Sequence, residues 1–175
     1  MIRCAITAGH GVSGSVLRRV DWVQVREKDL PARRLAELAR GLTGRGPKII
    51  VNTRVDVALA AGAQGVHLPA GSLAPRLIRA ITGTDFLIGV SCHSAFDVTR
   101  AEEEGADYVF LSPIFETPSK PGYGPPLGVE VLRAVCRRVR IPVLALGGVN
   151  EQRAGICVAA GAAGFASITA FAASE

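Results

Sequence analysis

Polar side chains alternate with valines between Val23 and Lys28, where the chain reads Val-Gln-Val-Arg-Glu-Lys. The valines predict a β-strand, in which side chains two residues apart lie on the same face. Gln24, Arg26 and Lys28 therefore share one face of this strand. Basic side chains inside a buried strand cost several kcal/mol unless an opposite charge meets them. The segment therefore predicts an anionic ligand, and a phosphorylated compound is the natural candidate.

Residues suited to ligand binding also stand at the carboxyl ends of the other predicted strands. They are Asn52, Thr53 and Arg54 after the third strand, Ser91, Cys92 and His93 after the fifth, Thr117, Ser119 and Lys120 in a long loop after the sixth, Gly147 and Gly148 after the seventh, and Ile168 and Thr169 after the eighth. His67 lies within the apolar fourth strand, between Val66 and Leu68, and we interpret it as structural.

The paired glycines and one histidine indicate specific chemistry. Gly147 and Gly148 fit a phosphate site, because glycine lets the main chain approach phosphate oxygens and oriented N–H groups stabilise their charge. A plain turn before a helix capped by Asn150 is the alternative. His93 could act as a general acid or base at neutral pH, and a structural role at a helix start is its alternative.

Eight short apolar segments must position these residues. The predicted strands are 2–7, 22–26, 48–52, 65–68, 87–91, 108–112, 142–146 and 164–168, and helical patterns occupy 32–42, 55–61, 75–81, 96–104, 129–139 and 151–160. Ser94 and Asn150 are predicted N-caps. Repeated strand–helix units favour a parallel (β/α)₈ TIM barrel, whose site lies at the carboxyl ends of the strands and often binds phosphate after strands seven and eight. An open doubly wound sheet is the rival, but no strand precedes a G-x-G-x-x-G turn.

Two features differ from a complete barrel. The first connection, residues 8–20, leaves room for only a short first helix, and the sequence given stops at Glu175, so we expect the eighth helix to be truncated or missing. The outer face beside strands eight and one would then expose apolar surface. Such a surface usually meets a partner, so we expect a homodimer.

The composition narrows the function classes. A chain of 175 residues predicts one domain, 1–175. The net charge of +5 comes from scattered basic residues with few aromatic neighbours, which argues against nucleic acid as a partner. No apolar stretch is long enough for a bilayer and no signal-peptide pattern is present, so we expect a cytoplasmic protein without membrane contact. The four cysteines lack zinc spacing and predict reduced, mostly buried thiols.

Seven motifs together resemble the family of thiamin phosphate synthases and TenI-type thiazole tautomerases. They are 23–28 (VQVREK), 52–56 (NTRVD), 65–68 (GVHL), 88–93 (IGVSCH), 105–108 (GADY), 113–120 (PIFETPSK) and 145–149 (ALGGV), in the family's order. A synthase joins a pyrimidine pyrophosphate to a thiazole phosphate and uses Mg²⁺ to support the leaving pyrophosphate. By resemblance, Gln24, Arg26, Lys28 and Asn52 would hold pyrophosphate and pyrimidine, Ser91, Thr117, Ser119 and Lys120 would be further ligands, and Gly148, Ile168 and Thr169 would lie at the thiazole phosphate.

The resemblance fails at the metal ligands. The synthase pattern has an acid where this chain has Thr53 and a second acid where it has Ser72. A hydroxyl cannot replace a carboxylate as the main charge partner of Mg²⁺. We therefore expect no cofactor and no metal, with Mg²⁺ required only if the chain is a synthase.

The segment 67–79 and the triplet 115–117 look TenI-like, and His93 matches that family's acid–base residue. The resemblance thus predicts a thiazole tautomerase without metal. In it His93 transfers the proton, Gly147, Gly148, Ile168 and Thr169 hold the phosphate, and Lys120 with Thr117 closes over the ligand. A thiamin phosphate synthase that also takes pyrimidine pyrophosphate is the alternative. A catalytically inactive, regulatory phosphate-binding barrel is the second alternative.

Overall fold

Eight parallel strands close into a barrel in a computed structural model that describes residues 1–9, 11–117 and 125–171. The strands are β1 Ile2–Ile6, β2 Trp22–Val25, β3 Lys48–Asn52, β4 Gly65–Leu68, β5 Leu87–Cys92, β6 Tyr108–Leu111, β7 Val143–Ala145 and β8 Gly164–Ser167. Each strand pairs with its neighbours in chain order, and β8 pairs with β1. The predicted (β/α)₈ barrel is confirmed.

The helices follow the strands on the outside of the barrel. They are α1 Gly14–Leu17, α2 Ala32–Leu42, α3 Val55–Ala61, α4 Pro75–Thr82, α5 Ala95–Glu103, α6 Gly128–Arg138 and α7 Glu151–Ala159. With four residues, α1 is as short as the first connection predicts. Within the described residues, which reach Phe171, no helix follows β8.

Most predicted ends of strands and helices lie within one or two residues of the ends in the structure. Ser94 caps α5, since its Oγ accepts a hydrogen bond from the Asp97 amide at 3.1 Å. Asn150 caps α7 in the same way, through the Arg153 amide at 2.9 Å. Both N-caps are confirmed.

Two apolar layers hold the fold together. Cys4, Ile6, Trp22, Tyr108, Phe110, Leu144 and Ala166 cluster inside the barrel. A larger cluster joins the outer faces of the strands to the helices. All four cysteines are free thiols and three are fully buried, so the predicted burial is confirmed. None of the described helices is both long and apolar enough to cross a bilayer.

Candidate active site

A cavity of about 470 Å³ opens at the carboxyl ends of the strands, where the barrel topology predicts a site. We call it the main cavity. Its lining residues are Ile6, Gln24, Arg26, Lys28, Asn52, Thr53, Pro69, Ala70, Ser91, His93, Phe110, Leu146, Gly147 and Ile168. The barrel therefore brings the sequence-predicted residues of β2, β3 and β5 to one space.

The β2 and β3 side of the main cavity is organised by amide hydrogen bonds. Gln24 is buried, and its Nε2 donates to Asn52 Oδ1 at 3.1 Å. Asn52 Nδ2 in turn donates to Thr53 Oγ1 at 2.9 Å. These two hydrogen bonds fix the orientation of both amides before any ligand binds.

The two basic residues of the segment VQVREK are not buried, so that part of the sequence interpretation is wrong. The strand β2 ends at Val25, because the Arg26 amide donates to Thr7 Oγ1 at 2.9 Å instead of continuing the strand. Arg26 is half-buried and Lys28 is exposed, so neither carries the cost of a buried charge. Both still line the main cavity. Among the described residues neither has a carboxylate at ion-pair distance.

Ser91 stands at the end of a hydrogen-bonded row that runs into the barrel interior. Its Oγ lies 2.9 Å from His67 Nε2, and His67 Nδ1 lies 3.1 Å from the Tyr108 hydroxyl. Burial lowers the pKa of His67 to about 3, so its imidazole stays neutral. His67 does not line the main cavity, which agrees with the structural role predicted for it.

His93 lines the main cavity from between β5 and the N-cap of α5. Its backbone amide donates to Asp97 Oδ2 at 3.0 Å, and its Nδ1 lies 2.8 Å from the carbonyl oxygen of Ser112. A carbonyl oxygen can only accept, so Nδ1 carries a proton. In the neutral ring Nε2 is then the basic atom, as a proton-transfer role requires.

A second cavity of about 440 Å³ shares Leu146, Gly147 and Ile168 with the main cavity. Its lining residues are Glu116, Thr117, Leu146, Gly147, Gly148, Val149, Asn150, Ser167, Ile168 and Thr169. The residues predicted to hold phosphate therefore come together here, and Thr117 lies beside them. We call this space the second cavity.

The paired glycines also have a structural reason to be glycine. Both adopt a positive φ, 89° at Gly147 and 64° at Gly148. A β-carbon on Gly147 would lie 2.8 Å from Pro113 Cα, and one on Gly148 would lie 2.4 Å from the Glu116 carbonyl oxygen. The loop after β6 therefore packs directly on both glycines. Thr117 follows in the same loop and lines the second cavity.

Positive charge lies close to the second cavity beside the glycines, although Arg153 is not among its lining residues. Arg153 donates from Nη1 to the Gly148 carbonyl oxygen at 2.8 Å, and its guanidinium lies 4.9 Å from the centre of the Phe115 ring. The amino end of α7 begins nearby at Glu151 and adds the positive end of a helix dipole. Both features favour an anion in this space, whereas Glu116 in the lining opposes one.

The two positions that differ from the synthase metal pattern lie in different places. Thr53 lines the main cavity, whereas Ser72 is exposed and borders a small pocket between α4 and α5. No Asp or Glu is among the described residues lining the main cavity. Nor do any three His, Cys, Asp or Glu side chains group into a metal site within 1–9, 11–117 and 125–171. The donor set therefore does not fit Mg²⁺, which prefers carboxylate oxygens.

Two predicted site residues are not described by the structure, and three residues at the site were not predicted from the sequence. Ser119 and Lys120 lie outside the described residues. Thr7 and Ser112, which bond to Arg26 and His93, were missed, and so was Glu116 in the lining of the second cavity. Thr7 directly follows β1 and Ser112 directly follows β6, so position at a strand end was the signal that could have found them.

The comparisons with known proteins agree with one another. The family model of thiamine monophosphate synthase matches residues 7–171. The chain is 47% identical to the "Putative thiamine-phosphate synthase" of Geobacter sulfurreducens, over 91% of this chain and 76% of that one. It is 42% identical to the thiamine-phosphate synthase of a Roseiflexus species, over 91% and 69% of the two chains. The solved structure of thiamine phosphate pyrophosphorylase from Pyrococcus furiosus superposes with a TM-score of 0.85, at 29% identity, over 99% of this chain and 88% of that chain.

Proposed function

Because the chain belongs to the thiamine monophosphate synthase family, we propose that it is a thiamin phosphate synthase, joining a pyrimidine pyrophosphate to a thiazole phosphate. The relatives are named for this activity. They support the synthase, the alternative in the sequence interpretation, better than the tautomerase that was its main prediction.

The observation that carries the proposal is the pair of adjoining cavities. The main cavity holds two cationic side chains without carboxylate partners among the described residues, and the second cavity is bordered by glycines and the amino end of α7. Two anionic substrates would thus lie side by side, with Gly147 and Ile168 between them. A tautomerase needs only one of these spaces.

In this proposal each side of the site has its own task. Arg26 and Lys28 hold the pyrophosphate and stabilise its negative charge as it leaves, a stabilisation that is strongest when the groups are positioned in advance. Gln24 and Asn52 orient the pyrimidine, Ser91 is a further ligand, and by resemblance Thr117, Ser119 and Lys120 are further ligands too. Gly147, Gly148, Ile168 and Thr169 hold the thiazole phosphate.

The described residues do not supply a metal site, so the cations carry the leaving-group charge in this proposal. If Mg²⁺ matters, the pyrophosphate oxygens must be its main ligands. The effect of added Mg²⁺ on substrate affinity is therefore an essential measurement.

A thiazole tautomerase is the second candidate, and His93 favours it. The Ser112 carbonyl leaves Nε2 as the basic atom of the neutral ring, and the absence of acids from the described lining of the main cavity is no obstacle to proton transfer. This activity would need only the thiazole phosphate in the second cavity. A regulatory barrel, the remaining alternative, would bind thiazole phosphate without any turnover.

One set of assays separates these functions. The protein is incubated with pyrimidine pyrophosphate and thiazole phosphate, with and without Mg²⁺, and thiamin phosphate is quantified by chromatography. In parallel the thiazole carboxylate phosphate tautomer is supplied alone, and its isomerisation is followed by NMR. Thiamin phosphate formation supports the synthase, and isomerisation alone replaces it with the tautomerase.

Calorimetry adds the binding evidence. Pyrimidine pyrophosphate is titrated into protein saturated with thiazole phosphate. Binding of both ligands to the protein agrees with two occupied cavities. Binding of thiazole phosphate alone, without turnover, indicates the regulatory barrel. The homodimer predicted from the sequence stays a prediction, and sedimentation equilibrium tests it.

A further inference from the structure

Three side chains from three strands form a hydrogen-bonded row between the barrel interior and the main cavity. Tyr108 and His67 are each 1% exposed, and Ser91 lies at the cavity wall. We propose that Tyr108 and His67 set the direction of the Ser91 hydroxyl, so that Ser91 meets the ligand as a hydrogen-bond donor. The functional part of this inference rests on the proposed function, in which Ser91 contacts a substrate.

The direction of the row follows from the tyrosine. In the part of the chain that the structure describes, His67 Nδ1 is the hydrogen-bond partner of the Tyr108 hydroxyl, at 3.1 Å, and no other is found. If Nδ1 carried a proton, the phenol oxygen would accept a hydrogen bond from Nδ1. The phenol's own proton would then be buried without an acceptor. Buried donors are rarely left in that state. Tyr108 therefore donates to Nδ1.

The neutral imidazole then donates a hydrogen bond to Ser91. A neutral histidine has one N–H, and with Nδ1 accepting, that N–H is on Nε2. Nε2 then donates to Ser91 Oγ across 2.9 Å. The serine oxygen has accepted one hydrogen bond, and its own proton is left for the main cavity. A phosphoryl oxygen or another acceptor on the ligand fits this proton.

Packing keeps the row in this arrangement. The His67 ring lies against Phe110, with centroids 4.1 Å apart, and Tyr108 meets Trp22 edge-on at 4.8 Å. Gly89 lies between β4 and β6, paired with His67 on one side and with Tyr108 on the other. A β-carbon on Gly89 would lie 2.1 Å from Tyr108 Cζ, so glycine is what admits the phenol ring.

His67 and Tyr108 are thus positioning residues, since neither lines the main cavity. The first test reads the tautomer directly. Protein labelled with ¹⁵N-histidine is studied by NMR without ligand between pH 5 and 8, and His67 is assigned by its loss in His67→Gln. We expect a neutral ring with its proton on Nε2. A proton on Nδ1, or a charged ring, would overturn the inference whatever the enzyme catalyses.

The second test measures the functional consequence with inorganic pyrophosphate as the probe. Affinity is measured by calorimetry for the wild type, Tyr108→Phe, Ser91→Ala and the double variant. We expect Tyr108→Phe to weaken binding about 3- to 10-fold when Ser91 is present, the range of one ordinary hydrogen bond. In the Ser91→Ala background the same change should have no effect, because the hydroxyl that it directs is gone.

A purely structural role for Tyr108 gives another pattern. Tyr108→Phe would then weaken binding equally in both backgrounds, and that result would refute the inference. Thiamin phosphate formation is measured on the same variants. A coupled loss of pyrophosphate affinity without any turnover would refute the proposed function but leave the role of the row intact.

Discussion

The carbonyl oxygen of Glu116 occupies the space that a side chain on Gly148 would need, 2.4 Å from the position of its β-carbon. The loop after β6 and the loop after β7 therefore approach each other through a glycine. Because Gly148 also has a φ of 64°, both its backbone conformation and its packing require the absence of a side chain. The second cavity is shaped by this contact.

Gly148→Ala should therefore lower both stability and phosphate binding. We expect a loss of about 1–3 kcal/mol in the free energy of unfolding, from strain at positive φ and from displacement of the loop. Urea denaturation and calorimetry with thiazole phosphate measure the two effects. Gly155→Ala is the matched control, because this glycine lies in α7 with open space around its β-carbon position and should gain stability. Equal stability of the two variants would contradict the prediction.

Arg26→Ala should weaken binding of inorganic pyrophosphate about 10- to 100-fold, the range of a charged hydrogen bond lost. Arg45→Ala removes the same charge from an exposed position outside the cavities and should leave affinity almost unchanged. Calorimetry at two salt concentrations measures both variants. If Arg45→Ala weakens binding as much as Arg26→Ala, general charge attraction would explain the affinity better than a contact in the main cavity.

His93→Asn separates the two catalytic candidates. If the protein isomerises the thiazole carboxylate phosphate, loss of the basic Nε2 should slow that reaction by about 10²- to 10⁴-fold. Formation of thiamin phosphate should fall much less, since the synthase proposal gives His93 no proton to transfer. NMR follows the first reaction and chromatography the second. A large loss of synthase activity at unchanged substrate affinity would give His93 a role that the proposal lacks.

The barrel was predictable because its signals are local. Short apolar strands, helix stripes and the caps at Ser94 and Asn150 each need only a few neighbouring residues. The burial of Arg26 and Lys28 was misjudged because β2 ends at Val25, where the Arg26 amide donates to the hydroxyl of Thr7 from another strand end. The row from Tyr108 to Ser91 likewise requires the register of three strands, which no single segment of the sequence specifies.

Stability should fall on acidification because of His67. Burial lowers its pKa from 6.5 to about 3, so between these values the unfolded chain binds a proton that the folded chain does not. The contribution is complete above pH 6.5 and is lost as the pH falls, by up to about 1.4 kcal/mol per pH unit from this group. Urea denaturation from pH 7 to pH 4 measures the slope. His67→Gln should be less stable at pH 7 but show a shallower slope, and an unchanged slope would exclude His67 as its source.

Thr53 has a φ of 64° and is the only described residue other than glycine with a positive φ. A β-branched side chain is disfavoured there, whereas Asp and Asn tolerate this conformation. Thr53→Asp should therefore not destabilise the fold. It would also place a carboxylate in the lining of the main cavity, so we expect Mg²⁺ to raise the affinity for inorganic pyrophosphate several-fold more than in the wild type. Thr53→Asn relieves the same strain without charge and should show no added Mg²⁺ effect. If the two variants respond to Mg²⁺ alike in calorimetry, a missing acid at this position is not what keeps the donor set from fitting a metal.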